Sequence, residues 1–139
     1  MHIMGSLDVS KSAERDLRQL WRDDPDAAAA VVVVLEEIEA DPQFIYKLTT
    51  YGEVEFGEDT ISVKPWIKAQ RTRRGLWRFR VLNTPATSYR VVYGFHYQMQ
   101  QVWVLAIAHK DDLNYDELNS NLAKRVFTDW YNITGGQDT

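Results

Sequence analysis

Apolar residues recur at helical spacing through the first third of the chain. In the stretch 12–21 they return every three or four positions, and Ser10 stands where a helix N-cap is expected. The Asp-Pro pair at 24–25 supplies an N-cap and a first-turn residue for a second helix, which continues through the apolar run 27–35. A second Asp-Pro pair at 41–42 ends that helix, because a residue before proline avoids the helical conformation.

In the second half of the chain the pattern changes to that of strands. LWRFRV (76–81) alternates between apolar residues and arginines, and SYRVVYGFHY (88–97) is rich in β-branched and aromatic residues. VWVLAIA (102–108) is almost entirely apolar, which is typical of a central strand buried on both faces. QMQ (98–100) is predicted to be a hairpin connection. Helical spacing returns over residues 115–131 and predicts a C-terminal helix.

This order predicts an α+β domain, in which an N-terminal strand over residues 6–10 and a two-helix hairpin pack on an antiparallel β-meander with a C-terminal helix. The length of 139 residues fits one domain, which we assign to residues 7–131. Residues 1–6 are expected to be disordered or in part a cloning remnant. Residues 49–75 stay unassigned, although 51–59 shows the alternation of a polar hairpin.

Charge is distributed unevenly along the chain. The net charge is −4, but residues 60–110 contain nine basic residues and no acidic residue, whereas residues 1–59 contain 5 basic and 14 acidic residues. Such segregation creates a local positive field that attracts polyanions whatever the net charge. The absence of cysteine excludes disulfides, thiolate chemistry and zinc sites built on cysteine. No apolar run approaches the roughly 18 residues of a membrane span, and a cytoplasmic location is expected.

The basic block contains a cluster suited to phosphate. Strand side chains alternate between faces, so Arg78 and Arg80 point the same way, and Arg90 lies beside them if the next strand pairs with theirs. No acidic residue of the block neutralises them, and guanidinium groups hold phosphate through paired hydrogen bonds. The last strand and the segment after it are expected to bring three more side chains to the same patch: His109, Lys110 and Tyr115.

Plain structural explanations of these residues stay open. Arg78 and Arg80 could form a solvated sheet face, and Arg90 could pair with an acidic residue of the first or last helix. His109 could cap a helix, and Tyr115 could belong to the core.

A basic stretch precedes the first meander strand. Five of its residues are expected to bind RNA through salt-dependent contacts: Lys64, Lys68, Arg71, Arg73 and Arg74. The alternative is an exposed loop without a role in binding. His2 and His96 give no metal-ligand spacing with His109, so no metal site is predicted.

Several stretches together resemble the RelE/ParE superfamily of bacterial toxins. LWRFRV (76–81) and SYRVVYGFHYQMQQVWVLAIAHKDDLNY (88–115) carry the resemblance, with SAERDLRQLW (12–21) similar to the first helix of the family. Its most specific piece is YRVVY followed by an apolar strand that ends in a histidine and a basic turn. The resemblance is weak over residues 7–48, and residues 49–75 are longer than in the compact members.

The resemblance implies a toxin of a type II toxin–antitoxin pair that a cognate antitoxin holds inactive. In the RelE branch the activity is cleavage of messenger RNA on the translating ribosome. Carried over residue by residue, the resemblance assigns catalytic positions to Arg78, Arg80, Arg90, His109, Lys110 and Tyr115.

The implied reaction is a metal-independent attack of the 2′-hydroxyl on the scissile phosphate. The three arginines stabilise the transition state, while His109 or Tyr115 takes the proton and Lys110 or His109 protonates the leaving group. Arginine itself cannot act as the base, because its guanidinium does not lose its proton. Several family members have lysines where this chain has the two arginines of the first meander strand.

Two other functions stay open. The ParE branch shares the fold but inhibits DNA gyrase by binding, and an inactive RelE-fold binding module is the third possibility. The grouping of the arginines with His109 and Tyr115 favours the nuclease. The expected partners are an antitoxin and messenger RNA on the ribosome. No cofactor and no membrane are expected, and the oligomeric state is open.

Overall fold

The computed structural model describes residues 5–135 of the chain. The strands are β1 (Ser6–Val9), β2 (Gly52–Phe56), β3 (Asp59–Pro65), β4 (Leu76–Val81), β5 (Tyr89–His96) and β6 (Gln101–His109). The helices are α1 (Lys11–Asp23), α2 (Pro25–Ala40), α3 (Phe44–Leu48), α4 (Ile67–Arg71) and α5 (Asn121–Thr134), with a single-turn 3-10 helix at Lys110–Asp112. The predicted disorder of residues 1–6 concerns mostly residues outside this range, and Ser6 begins β1.

All six strands form one sheet in the order β1-β6-β5-β4-β3-β2. The strands from β2 to β6 are antiparallel neighbours in chain order, which is the predicted meander extended by a hairpin at its start. β1 instead pairs in parallel with β6, with Leu7 opposite Val102. The predicted α+β class is therefore confirmed, including the strand at the N-terminus and the turn after β5.

Side-chain caps fix the starts of the first two helices where the sequence predicts them. The Ser10 hydroxyl accepts a hydrogen bond of 3.1 Å from the Ala13 backbone N–H, and the Asp24 carboxylate accepts one of the same length from the Ala27 N–H. Pro25 then occupies the first turn of α2, where its missing N–H costs nothing. The helix ends at Ala40, immediately before the second Asp-Pro pair.

The sheet has a different helical cover on each face. α1 and α2 pack on one face, the α1–α2 face, where they bury Phe79, Val81 and Tyr93. α4 and α5 pack on the other, the α5 face, where they bury Leu76 and Val92. β4 and β5 thus contribute alternate residues to two separate cores, as the alternation of their sequences predicts.

A glycine lets α5 approach the sheet. A Cβ at Gly94 of β5 would stand 2.6 Å from the Trp130 ring of α5, and Trp130 is fully buried there. Close approach at this point requires the absence of a side chain.

The structure assigns the stretch 49–75 and corrects the C-terminal helix. Residues 52–65 form the hairpin β2–β3, so the predicted hairpin 51–59 contains only its first strand and the turn, and β3 ends at Pro65. The predicted helix over 115–131 is wrong in its first six residues, because α5 begins only at Asn121. Its N-cap is Ser120, whose hydroxyl accepts a hydrogen bond from the Ala123 N–H.

Two short helices, α3 and α4, escaped prediction, since five residues are too few to show a period.

Within residues 5–135, no helix combines the length and the hydropathy that crossing a membrane requires.

Candidate nucleic-acid interface

Three neighbouring strands collect basic side chains on the α5 face beside the helical cover. Lys64 of β3 lies opposite Arg78 of β4, and Ser62 lies opposite Arg80. Arg78 itself lies opposite Val92 of β5, which places Arg90 on the same face two residues away. We call the cavity between them the arginine hollow. It has a volume of about 160 Å³ and is lined by Ser62, Lys64, Arg78, Phe79, Arg80 and Arg90.

Arg90 is held at the edge of the hollow by backbone carbonyls. Its Nη1 donates hydrogen bonds of 2.9 Å to the Thr87 oxygen and 3.2 Å to the Tyr89 oxygen. Burial, followed by the positive charges of Arg80 and Arg78, lowers the pKa of Arg90. The protonated state thus costs free energy in the empty hollow, and an anion placed among the three guanidinium groups would recover that cost.

In the part of the chain that the structure describes, no carboxylate forms an ion pair with the arginines of the hollow. The ion pairs within residues 5–135 join other residues: Lys47 with Asp41, Lys68 with Asp116, His109 with Asp111, and Arg125 with Asp16. Asp16 of α1, the type of partner considered for Arg90, is engaged by Arg125 of α5 at 2.7 Å. The sequence predicts three guanidinium groups close together without an acidic partner. The geometry agrees with this expectation.

Tyr115 forms the floor below Arg78. The guanidinium carbon of Arg78 lies 3.6 Å from the centre of the Tyr115 ring, which is a cation–π contact. The Trp66 indole N–H donates a hydrogen bond of 2.9 Å to the Tyr115 carbonyl, and the two rings meet edge to face. The Tyr115 hydroxyl is buried and has no well-formed hydrogen bond in the described part of the chain. Burial raises the pKa of Tyr115, although nearby Arg78 and Arg90 oppose the rise.

His109 does not join the arginine hollow. It lies opposite Tyr89 in the sheet, and its ring meets the Tyr89 ring edge to face at 5.3 Å. It therefore belongs to the α1–α2 face, in a separate hollow with Asp16 and Asp23. The His109 Nδ1 accepts a hydrogen bond from the Asp111 N–H and so caps the 3-10 helix. The expected convergence of His109 on the arginines is wrong, because β6 residues alternate and Ala108 is the one opposite Arg90.

Lys110 is exposed at the start of the 3-10 helix and does not line the hollow. Its backbone N–H donates a hydrogen bond to the Ser88 oxygen, which keeps it near the start of β5.

The other predicted RNA-binding residues fall into two groups. Lys68 and Arg71 of α4 line a second hollow of about 270 Å³, which meets the arginine hollow at Arg78. Arg73 is exposed and has a positive φ of 64° in the loop after α4. The guanidinium carbon of Arg74 lies 4.1 Å from the centre of the Phe127 ring, so this arginine packs on α5. Lys64, Lys68 and Arg71 thus flank the central arginines, whereas Arg73 and Arg74 lie apart from them.

Ser62 is the lining residue that sequence reasoning missed. The sequence shows that Ser62 and Lys64 are two residues apart. Whether they lie beside the arginines depends on the register between β3 and β4. The connection between these two strands contains α4, which the sequence did not reveal, so their register could not be predicted.

A larger groove lies elsewhere and has a different chemistry. It measures about 1130 Å³ between β1 and the junction of α2 with α3, and apolar residues such as Leu7 and Phe44 share its wall with Asp41. Arginine and lysine are absent from the lining residues of this groove that the structure describes. We therefore place the candidate phosphate site at the smaller arginine hollow.

The comparisons with known proteins find similarity in structure only. No protein-family model and no curated protein matches the sequence. One similar solved structure is a chain of the toxin–antitoxin complex RelBE2 from Mycobacterium tuberculosis, with 19% identity and a TM-score of 0.38 over 77% of this chain and 99% of that one. Another belongs to the archaeal RelE–RelB complex from Pyrococcus horikoshii, with 14% identity and a TM-score of 0.41 over 80% of this chain and 100% of that one. The chain is thus similar in structure, over most of its length, to chains of RelE-type toxin–antitoxin complexes.

Proposed function

We propose that this protein is the toxin of a bacterial type II toxin–antitoxin system and that it cleaves messenger RNA on the ribosome. The observation that supports the proposal most is the arginine hollow. Three guanidinium groups share one cavity, and no carboxylate among the described residues pairs with them. A cavity of this size and charge fits a single phosphodiester group of a nucleic-acid chain.

The proposed step needs charge stabilisation above all. The 2′-oxygen forms a bond to phosphorus while the bond from phosphorus to the 5′-oxygen breaks, which leaves a 2′,3′-cyclic phosphate and a 5′-hydroxyl. Negative charge accumulates on the phosphoryl oxygens in the transition state. Arg78 stacks on the Tyr115 ring and Arg90 is held by two backbone carbonyls before the reaction, so these two groups stabilise that charge with little reorganisation, and Arg80 adds a third positive charge.

In this proposal Lys64 donates the proton to the leaving oxygen. Lys64 lines the hollow opposite Arg78, and its ammonium has a proton to give. Lys110, which the family resemblance favours, lies outside the hollow. Tyr115 is a poor proton acceptor, because burial raises its pKa and keeps the phenol protonated near neutral pH.

The second hollow extends the proposed contact along the RNA. Lys68 and Arg71 would meet the phosphate next to the scissile one, since their hollow shares Arg78 with the first. An antitoxin belongs to the same proposal as the partner that keeps the toxin inactive.

Mapping of transcript ends tests the proposal directly. The chain is expressed in bacteria with and without a candidate antitoxin, and the 5′ ends of cellular messages are sequenced. We expect cuts confined to translated regions and in phase with codons. Arg90→Ala should reduce cutting by about 10²- to 10³-fold, whereas Arg73→Ala, in the exposed loop, and His109→Ala, on the opposite face, should cut nearly as well as the wild type. Full cutting by Arg90→Ala would show that the site is wrong.

A second candidate function has one observation in its favour. In the described part of the chain, neither a histidine nor a carboxylate lines the arginine hollow, so the hollow itself offers no obvious proton acceptor. A binding module that grips a polyanion or a protein without cutting RNA needs no acceptor, and a DNA gyrase inhibitor is one such module. Intact messages together with induction of the DNA-damage response would support this alternative.

A further inference from the structure

The hairpin β2–β3 extends the α5 face of the sheet by one strand beyond the arginine hollow. Glu53 of β2 lies opposite Ser62 of β3, and Ser62 lies opposite Arg80 of β4. Residues that lie opposite one another in a sheet project from the same face. Ser62 lines the hollow, so the Glu53 carboxylate projects from the same face as the arginines.

These residues form one row across the sheet. The β4–β5 pairing places Phe79 opposite Val91, and the next residues of the two strands are Arg80 and Arg90. The row therefore runs from Glu53 through Ser62 and Arg80 toward Arg90. Adjacent strands are about 4.8 Å apart, which places the backbones of Glu53 and Arg80 about 10 Å apart. A glutamate side chain covers part of that distance, and the residue between the two, Ser62, has a short side chain.

The Glu53 carboxylate is available for chemistry. Glu53 is exposed, while its neighbours Val54 and Phe56 turn toward the opposite core. Within residues 5–135 it takes part in no ion pair and no side-chain hydrogen bond. Among the residues that the structure describes, Glu53 thus offers a carboxylate on the same face as a phosphate-sized hollow whose lining residues are positive or neutral.

We propose that Glu53 is the proton acceptor of the RNA cleavage reaction, an inference that rests on the proposed function. The 2′-hydroxyl gives its proton to the Glu53 carboxylate as its oxygen bonds to phosphorus. The bond from phosphorus to the 5′-oxygen breaks, and that oxygen takes a proton from Lys64. The Glu53 proton then returns to Lys64 through solvent, so no other reactant is consumed.

Glu55 provides a matched control on the same strand. It projects from the same face and is likewise exposed, but it lies opposite Thr60, one row farther from the hollow. Both glutamates also fit the simpler role of charged residues that keep an edge strand from pairing with another chain. That role would make the two positions equivalent, whereas a proton acceptor makes them different.

The test compares Glu53→Gln with Glu55→Gln in a bacterial translation reaction that contains purified toxin and a defined message. We expect Glu53→Gln to lower the cleavage rate by roughly 10²- to 10⁴-fold and Glu55→Gln to leave it within about twofold. Affinity for ribosomes carrying a message with a 2′-methoxy group at the cleavage site should be unchanged in both variants.

The outcomes separate this inference from the proposed function. If the wild type cuts, Arg90→Ala is inactive and Glu53→Gln cuts normally, then the function stands and the role of Glu53 is wrong. Equal losses in Glu53→Gln and Glu55→Gln would also overturn that role. If the wild type leaves every message intact, the proposed function and this inference both fail.

Discussion

The Arg78 guanidinium lies over the Tyr115 ring, with 3.6 Å between the guanidinium carbon and the ring centre. Tyr115 comes from the segment between the 3-10 helix and α5, far from β4 in the sequence. Stacking of this kind fixes the orientation of a side chain that would otherwise have many rotamers.

The ring of Tyr115, rather than its hydroxyl, should matter for activity. Tyr115→Phe keeps the stack and removes a buried hydroxyl without a well-formed hydrogen bond, so we expect RNA cleavage within about twofold of the wild type. Tyr115→Ala removes the stack and should weaken cleavage roughly 2- to 30-fold, the equivalent of a cation–π contact. Rates on one defined message check both variants. A large loss in Tyr115→Phe would instead support proton transfer by the phenol.

Binding of RNA should depend steeply on salt, and each arginine should contribute to the slope. Arg80→Ala removes one phosphate contact from the arginine hollow. We expect it to reduce the slope of the logarithm of affinity against the logarithm of salt concentration by roughly 0.7. Titrations of a single-stranded RNA at several salt concentrations measure this slope. Arg22→Ala, in the last turn of α1, serves as the control and should leave the slope unchanged.

Gly94 should resist substitution because of its contact with Trp130. The added Cβ of Gly94→Ala would stand 2.6 Å from the indole, and we expect the free energy of unfolding to fall by about 1–3 kcal/mol. Denaturant unfolding measures the loss. The same substitution should cost less in a Trp130→Phe background, because the smaller ring gives the Cβ room. An equal cost in both backgrounds would mean that the contact with Trp130 does not cause the loss.

The turn of the β2–β3 hairpin contains a pH-dependent contact with α2. Glu37 accepts a hydrogen bond of 2.8 Å from the Glu58 N–H. A hydrogen bond with Asp59, and then burial, raises the pKa of Glu37 above its ordinary value of 4.5. A carboxyl group with a raised pKa in the folded state stabilises the fold while it is protonated. That contribution is lost as the pH rises through the raised pKa.

Glu37→Gln should remove this pH dependence. The amide resembles the protonated carboxyl, so we expect the variant to gain stability relative to the wild type as the pH rises from about 4 to 7. Urea unfolding of both proteins across this range gives the difference in free energy of unfolding. A difference that stays constant with pH would contradict the assignment to Glu37.

The part of the site that follows from strand alternation could be read from the sequence. Arg78 and Arg80 share a face because they are two residues apart, and Arg90 joins them through an ordinary antiparallel register. To predict the position of His109, one also needs the register in which β6 pairs with β5. That register sets Ala108 opposite Arg90 and turns the histidine to the other face.

Contacts made by irregular segments could not be read in the same way. Tyr115 lies outside any helix, and its place below Arg78 depends on packing against Trp66 and on a hydrogen bond to its backbone carbonyl. Ser62 and Lys64 lie beside the arginines only because of the register between β3 and β4. α3 and α4 are too short to leave a periodic signal. The sequence therefore predicted the architecture and the central charges, while tertiary packing determined their neighbours.

The parallel pairing of β1 with β6 has a consequence for the nascent chain. β1 begins at Ser6, but the strand it pairs with starts only at Gln101. During synthesis β1 therefore has no strand to pair with until β6 has left the ribosome. Until then α1 and α2 have no complete sheet to pack against. A truncated product would therefore expose apolar surface that chaperones and proteases recognise. Premature termination should thus yield degradation rather than a partly active fragment.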